Sequence, residues 1–439
     1  MPDIDLHALP LDESSAAALA KSGLDYRRVS HTAPEFSGFL HAINRGFLTE
    51  ESTAEQVEDQ RGVLGLRRMT GAFDADSVQA DVPVGTIDSW TMDLTMSPGR
   101  TLPMLAISGV TVAPTHRRRG IAGSMVGGEL RMAAAAGFAI AALTVTESTI
   151  YGRWGFGPAV YTTDWDIAAR RATWIGPRPE GRLDFLERED LPARLAEVHD
   201  RARLNQVGEV SGWTGLWERM AGLRVGAEGA RKVRAVQYSD ASGSARGVLV
   251  YSLAEETEQF AAQTLTIQVL VADGDDAYAA LWRFALEHDL VARVRATLCS
   301  VDEPLRWMIA DQRAAQVSVI EHEWLRILDT PRALAARTYA RAGVLDLSIS
   351  DSLGLADGRW RLEVDEAGAA RVEVLAESDA PSGATKVQLD ASALGSLLLG
   401  GVKAETLRRA GRITISADAA REFDAIFAPA HPPRLSLWY

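Results

Sequence analysis

The chain has 439 residues, of which 47% are hydrophobic and 24% charged, with a formal net charge of −13 and one cysteine. That length calls for two to four compact units, and the balance of apolar and charged residues excludes a disordered, collagenous or coiled-coil chain. The acidity disfavours general nucleic-acid binding, which draws on basic surface to displace counterions; it suits a cationic small partner, or serves solubility alone.

The opening segment MPDIDLHALPLDESS has no basic region ahead of an apolar one, so no secretory signal is expected. Phe36, Phe39, Leu40, Ile43 and Phe47 recur at helical spacing after Pro34, which predicts an amphipathic helix. A second helix is expected over 53–68. Strands follow over 69–73 and 84–96, the latter alternating through Ile87, Trp90, Met92, Leu94 and Met96 to the turn Ser97-Pro98-Gly99. A strand over 102–112 leads to a helix from about Arg117 to Ala136, then to a buried strand over 138–145. The longest near-apolar run, 133–145, is shorter than the roughly 18 residues of a membrane helix, so no span and a cytoplasmic address are expected. The order β, α, α, β, β, β, α, β contains a βαβ-like crossover within a mixed sheet.

From about residue 180 the order partly recurs: helix 191–220, strands near 233–238, 247–253 and 264–271, and helix 277–288. Cys299 sits in the apolar run VRATLCSV and reads as a core residue; a single cysteine also excludes an intramolecular disulfide and a cysteine-rich metal site. A linking helix (TPRALAARTYA), strands over 345–349, 360–364, 371–374 and 386–389, and helices over 391–399, 403–410 and 418–427 make a third, α+β unit. The chain closes on Arg434-Leu-Ser-Leu-Trp-Tyr439. Leaving such side chains in water costs about 1.5 to 3 kcal/mol each, so this end is expected to dock.

The chemistry concentrates in Ser108-Gly-Val110-Thr-Val112-Ala-Pro-Thr-His-Arg117-Arg-Arg-Gly120-Ile-Ala122-Gly123. It is a strand, a basic loop of small residues and a helix start. Unpaired first-turn N–H groups, the positive end of the helix dipole and small residues together suit a diphosphate. No P-loop ending or six-residue dinucleotide fingerprint competes with that reading. The second copy has VADGDDAYAALW at the equivalent place, with acids where the first has arginines, so phosphate is not expected there.

The spacing Arg117-x-x-Gly120-x-Ala122 resembles the pyrophosphate loop of GNAT acetyltransferases. Downstream, Thr144-Val-Thr146-Glu147-Ser-Thr-Ile-Tyr151-Gly-Arg-Trp-Gly155-Phe-Gly157-Pro158 resembles their segment carrying a tyrosine toward the thioester sulfur. Together the two stretches resemble the Eis (enhanced intracellular survival) family of acetyltransferases. That resemblance implies an α+β chain of tandem GNAT-like domains, each a mixed β-sheet with flanking helices, plus a C-terminal sterol-carrier-protein-like domain. The expected units are a catalytic domain over 1–168, a degenerate one over 169–325 and a third over 326–439. By the same resemblance acetyl-CoA is the cosubstrate, with no metal, and contacts Val110, Val112, Arg118, Arg119, Gly120, Ile121, Ala122, Gly123, Thr146 and Glu147. The family more familiarly has serine at the position of Thr146; the hydroxyl is kept.

Amine attack on a thioester needs a neutral amine, a polarised carbonyl and a protonated leaving thiolate. A backbone N–H of the 110–112 strand can polarise the carbonyl. Tyr151, with an ordinary pKa near 10 against about 8.5 for a thiol, can protonate the thiolate; packing beside Trp154 and Phe156 is the alternative role. The resemblance implies that the terminal carboxylate, here of Tyr439, acts as base; an apolar end that completes a sheet explains the same residues. It further implies an acceptor amine on a cationic molecule such as an aminoglycoside or on a lysine side chain, and a homo-oligomer, a hexamer. A non-catalytic acyl-CoA- or lipid-binding regulator is the alternative function.

Overall fold

The computed structural model describes residues 4–227, 229–254, 262–376 and 384–439. The first part contains α1 (Glu13–Lys21), β1 (Leu24–Val29), α2 (Phe36–Gly46), α3 (Ala54–Leu64), β2 (Arg68–Asp74), β3 (Gly85–Ser97), β4 (Arg100–Val112), α4 (Ile121–Ala135), β5 (Ile140–Thr144) and β6 (Gly157–Ala168). Next come β7 (Arg182–Leu186), α5 (Leu191–Arg203), α6 (Thr214–Met220), β8 (Arg234–Ser239), β9 (Ala245–Ala254), β10 (Gln263–Ala272), α7 (Asp275–Leu286), β11 (Val291–Cys299), α8 (Leu305–Met308) and β12 (Ala315–Ile327). The last part holds α9 (Thr330–Ala335), β13 (Gly343–Ser350), β14 (Gly358–Val364), β15 (Ala370–Val374), β16 (Thr385–Asp390), α10 (Ala391–Leu397), α11 (Ala404–Arg409) and α12 (Ala417–Phe427).

Most predicted elements form, and four details differ. The helix expected from Arg117 begins at Ile121, because Gly120 takes a left-handed φ of 77° and ends a turn that Pro114–His116 opens. The helix expected over 53–68 stops at Leu64, and Arg68 already belongs to β2. The span 191–220 divides into α5 and α6, the connection between them passing through the isolated bridge Leu94↔Val210. Helix α1, unmarked by any strong apolar stripe, precedes them all. It clamps α4: Ser15 donates to the Ser124 carbonyl (2.6 Å), and Arg131 grips Asp12 through two nitrogens (3.0 and 2.7 Å).

Twelve strands form one sheet in the order β1-β2-β3-β4-β5-β12-β6-β11-β10-β9-β8-β7. The two similar halves are therefore interleaved: β12, last in sequence of the second, lies between β5 and β6 of the first. β4, α4 and β5 form the expected crossover, with β4 and β5 parallel. Alternation along β3 decides its two faces. Ile87 joins Leu105, Ile107 and Leu143 under α4, while Trp90, Met92, Leu94 and Met96 join the core on the opposite side. Under α4, buried Arg68 meets Glu129 at 3.3 Å and Ser89 donates to the same carboxyl at 3.1 Å, which holds the helix over the sheet.

The four-stranded sheet β15-β14-β13-β16 stands apart. Helix α10 joins it to the large sheet by close approach: a Cβ on Gly395 would lie 2.4 Å from the Leu325 carbonyl oxygen, and one on Gly157 would lie 1.9 Å from that of Ser392. Only glycine permits that contact. Leu347, Leu389, Leu394, Phe423 and Ile426 of this unit belong to the same buried core as Trp90 and Leu435.

Candidate active site

The site begins with a parting of strands. β4 and β5 pair only at Leu105↔Ala141 and Ala106↔Ala142, so among the described residues the β5-facing edge of β4 has no strand partner beyond Ala106. Here β4 also bulges, the interval Thr86 to Asp88 on β3 facing Ser108 to Thr111 on β4, with Gly109 at a φ of 60°. An unpaired strand edge offers backbone N–H and C=O groups to an extended ligand.

Beyond the parting lies a cleft of about 780 Å³. It is lined by Val110, Val112, Arg118, Gly120, Ile121, Ala122, Gly123, Thr146, Glu147 and Tyr151, all singled out from sequence. Arg119 does not line it; its charge acts on Asp74 instead. Tyr439 lies outside the lining as well. Sequence reasoning missed the opposite wall, Arg45 to Leu48 at the end of α2, because a helix end carries no motif and faces this cleft only through packing on β4. It also passed over Arg117 and Arg153 as lining residues.

The loop is built to present amides. Ser124 N–H bonds the Gly120 carbonyl at 2.9 Å, and Gly120 caps without a side chain, which leaves the amides of Ile121, Ala122 and Gly123 free of intrahelical partners. Arg118, a non-glycine residue, is held at a φ of 65°, a strained conformation of the kind that clusters at ligand sites. His116 secures the turn by donating from Nε2 to Asp74 (3.0 Å), and that contact holds the Asp74 carboxyl below its usual range. Positive side chains, first-turn amides and a helix dipole then act on one spot, which fits a diphosphate.

Tyr151 opens the short turn Tyr151–Trp154 and packs against Trp154 and Phe156, with ring centroids 5.9 and 6.0 Å away. Burial, assisted by the charge of Glu147, pushes its phenol up to about 12. Packing and proton donation are thus compatible: the contacts that bury the ring keep its proton on at neutral pH.

The chain end docks as expected, held mainly by residues of the second half and by Thr144 of the first. Leu435 and Leu437 are fully buried. The Ser436 amide donates to Glu209 (2.9 Å), His322 Nε2 donates to the Leu437 carbonyl (2.8 Å), and Thr144 at the end of β5 donates to the Tyr439 backbone oxygen (2.7 Å). The Tyr439 hydroxyl donates to Glu323 on β12 at 2.9 Å. Among the described residues this tail joins no strand ladder, so completion of a sheet does not explain it. Burial raises the Glu323 carboxyl to about 8 and lowers His322 to about 4. Both are neutral at pH 7.

Residues 25–159 and 208–327 each match an acetyltransferase (GNAT) domain model, and 330–436 match a sterol carrier protein domain model. Taken with the cleft at the parted strands, these matches define a GNAT-type N-acetyltransferase, a class that uses acetyl-CoA. The chain is 34% identical over 420 residues to an uncharacterized N-acetyltransferase of Streptomyces avermitilis, covering 93% of this chain and 97% of that one. It is 31% identical over 352 residues to N-acetyltransferase Eis of Mycobacterium tuberculosis, covering 78% and 82%. The crystal structure of Eis1 from Mycobacterium abscessus is similar at a TM-score of 0.80 and 29% identity, over 94% of this chain and 100% of that one. The chain belongs to the Eis family of N-acetyltransferases. Among the described residues no helix is long and apolar enough to cross a membrane.

Proposed function

We propose that this enzyme transfers the acetyl group of acetyl-CoA directly to a primary amine, with the diphosphate held by the amides of Ile121, Ala122 and Gly123 and by Arg118. The observation that carries this reading is the convergence of the loop, Thr146, Glu147 and Tyr151 on one cleft at the parted strands. Acetyl-CoA supplies an activated acyl carbon and a thiolate leaving group. The edge of β4 at Val110 and Val112 orients the thioester, and an N–H there stabilises the oxyanion as the amine adds. Tyr151 gives its proton to the departing sulfur, a role suited to a phenol protonated throughout the neutral range.

In this reading the Tyr439 terminal carboxylate, held through Thr144, takes the proton of the attacking ammonium, directly or through water. Residues 1–168 then carry the chemistry, 169–325 grip the tail, and 326–439 supply it. The acceptor belongs to one of two types, a polycation such as an aminoglycoside or a lysine-type side chain.

The test is thiol release from acetyl-CoA with a panel of amines. Tyr151→Phe is expected to lower kcat at least about 100-fold, at the low end of general-acid effects, with acetyl-CoA binding retained. Extending the chain by two residues beyond Tyr439 is expected to lower turnover with every acceptor. Undiminished turnover in the extended chain would remove the carboxylate from the mechanism, and acetyl-CoA binding without turnover of any amine in the wild type would favour a non-catalytic binder.

A further inference from the structure

Two leucines by themselves do not fix where the chain ends. Leu435 and Leu437 are fully buried, but hydrophobic burial carries no direction. A slip of two residues puts one leucine where the other was and moves the terminal carboxylate by about 7 Å, twice the rise per residue of an extended chain. A directional contact is needed to hold the register, and Arg434 stands immediately ahead of the pair.

Arg434 enters a receptacle formed by the second half. Between Ala296↔Trp165 and Cys299↔Thr163, β11 has two residues where β6 has one, which is a β-bulge. Leu298 in that bulge is held at a φ of 56°, a strained conformation for a bulky side chain, and its carbonyl accepts Arg434 Nε–H at 3.2 Å. Opposite, the Arg434 amide donates to the Val207 carbonyl at 2.9 Å, and Gln206 Nε2 donates to the Pro432 carbonyl at 3.0 Å. Gly208 lets the two backbones meet: it has a φ of 89°, and a Cβ there would lie 3.0 Å from the Arg434 carbonyl oxygen.

The receptacle also matches the charge. Glu303 is fixed by the Ser300 amide (2.8 Å) and the Tyr278 hydroxyl, and Glu209 by the Ser436 amide (2.9 Å), with His199 3.7 Å from its other oxygen. Desolvation works against the guanidinium, yet Glu303 and then Glu209 outweigh it and hold its pKa above the ordinary value. Leu298 is thus a strained carbonyl, and Glu303 and Glu209 two oriented acids, that the cofactor cleft does not use.

We propose that Arg434 is a positioning residue: seated between the Leu298 bulge and the 206–208 segment, it locks the register of the tail so that the Tyr439 carboxylate reaches the reacting amine. This rests on the reading of that carboxylate as the base. It gives the second half a defined task, that of a receptor for the chain's own end.

The experiment uses the full chain as wild type, Arg434→Met and Arg434→Lys, with thermal unfolding and acetyl-CoA binding to report that each is folded. Two quantities are followed: release of Tyr439 by a carboxypeptidase, read by mass spectrometry, and kcat with KM for acetyl-CoA, read by thiol release. Arg434→Met is expected to release Tyr439 about tenfold faster or more and to lower kcat about tenfold or more, as misplacement of a reacting group does, with KM for acetyl-CoA unchanged. Arg434→Lys keeps the charge without the planar fork and should fall between, so it carries the test if the methionine variant does not fold. Release at the wild-type rate in both variants overturns the proposal, whatever happens to kcat. Faster release with undiminished kcat upholds the receptacle and overturns instead the reading of the carboxylate as base.

Discussion

The two acetyltransferase halves use the same strand–helix–strand device to opposite ends. In the first, β4 and β5 part after Ala106↔Ala142 and the opening is a cleft walled by arginines and free amides. In the second, β10 and β11 pair from Gln263↔Val291 to Ile267↔Ala296, and α7 begins with Asp275 and Asp276. Just beyond that last pair, Arg434 of the tail donates to the Leu298 carbonyl at 3.2 Å and shares its charge with Glu303 and Glu209. Where one half leaves room for a ligand, the other receives the protein's own chain end. Acid in place of base at the helix start disfavours a phosphate there, since Asp275 and Asp276 already sit at the positive end of the dipole and repel a further anion. The second half thereby becomes the anchor that brings Tyr439 to the first, through Glu209, His322 and Glu323.

The contrast breaks first at the helix starts. Reversing Arg117 and Arg118 together to glutamate should weaken acetyl-CoA binding about 100-fold by titration calorimetry, the loss expected when charge-assisted bonds to phosphate become repulsions. Asp275→Asn with Asp276→Asn should leave that affinity unchanged; a second mole of acetyl-CoA bound to that variant would show that acidity alone closed the second site. A smaller effect separates the two glycines. Gly120→Ala forces a left-handed φ of 77° on a residue with a Cβ, a strain of about 1 to 2 kcal/mol, and should raise the KM for acetyl-CoA several-fold. Gly274→Ala, at a φ of 112°, should lower Tm without changing KM.

The smallest effect tests the anchor. A carboxyl whose pKa the fold raises stabilises the fold below the unfolded-chain value near 4.5, and loses that contribution as pH climbs toward about 8. His322, depressed to about 4, acts in the opposite direction: its contribution is present above about 6.5 and is lost as pH falls toward 4. Of these two groups, only Glu323 changes the balance between pH 6.5 and 8. Urea unfolding in that window should show wild-type stability falling with pH by at most about 1.4 kcal/mol per pH unit relative to Glu323→Gln. Parallel pH profiles for the two proteins would show that Glu323 is ionised in the fold and that its bond to Tyr439 is of another kind.

How much of this was legible in the chain depends on the range of the interaction. The loop from Val110 to Gly123 could be read directly because strand, turn and helix start are consecutive, and the phosphate binding proposed there calls on backbone groups that small residues leave open. Tyr151 was singled out by the resemblance of its segment, and its environment was foretold by Trp154 and Phe156 next to it. The docking of 434–439 followed from hydrophobicity alone. Local patterns, however, name what a segment wants to bury and not where. That β12 inserts between β5 and β6, that α1 braces α4 through Asp12 and Ser15, and that Arg45 to Leu48 form the far wall of the cleft were decided by tertiary packing. So was the encounter of Thr144, Glu323 and Tyr439, three residues far apart in the chain that meet only once the interleaved sheet is complete. Composition, spacing and a run of small and basic residues determined what this loop is suited to hold; long-range strand order, which no local periodicity encodes, decided what stands beside it.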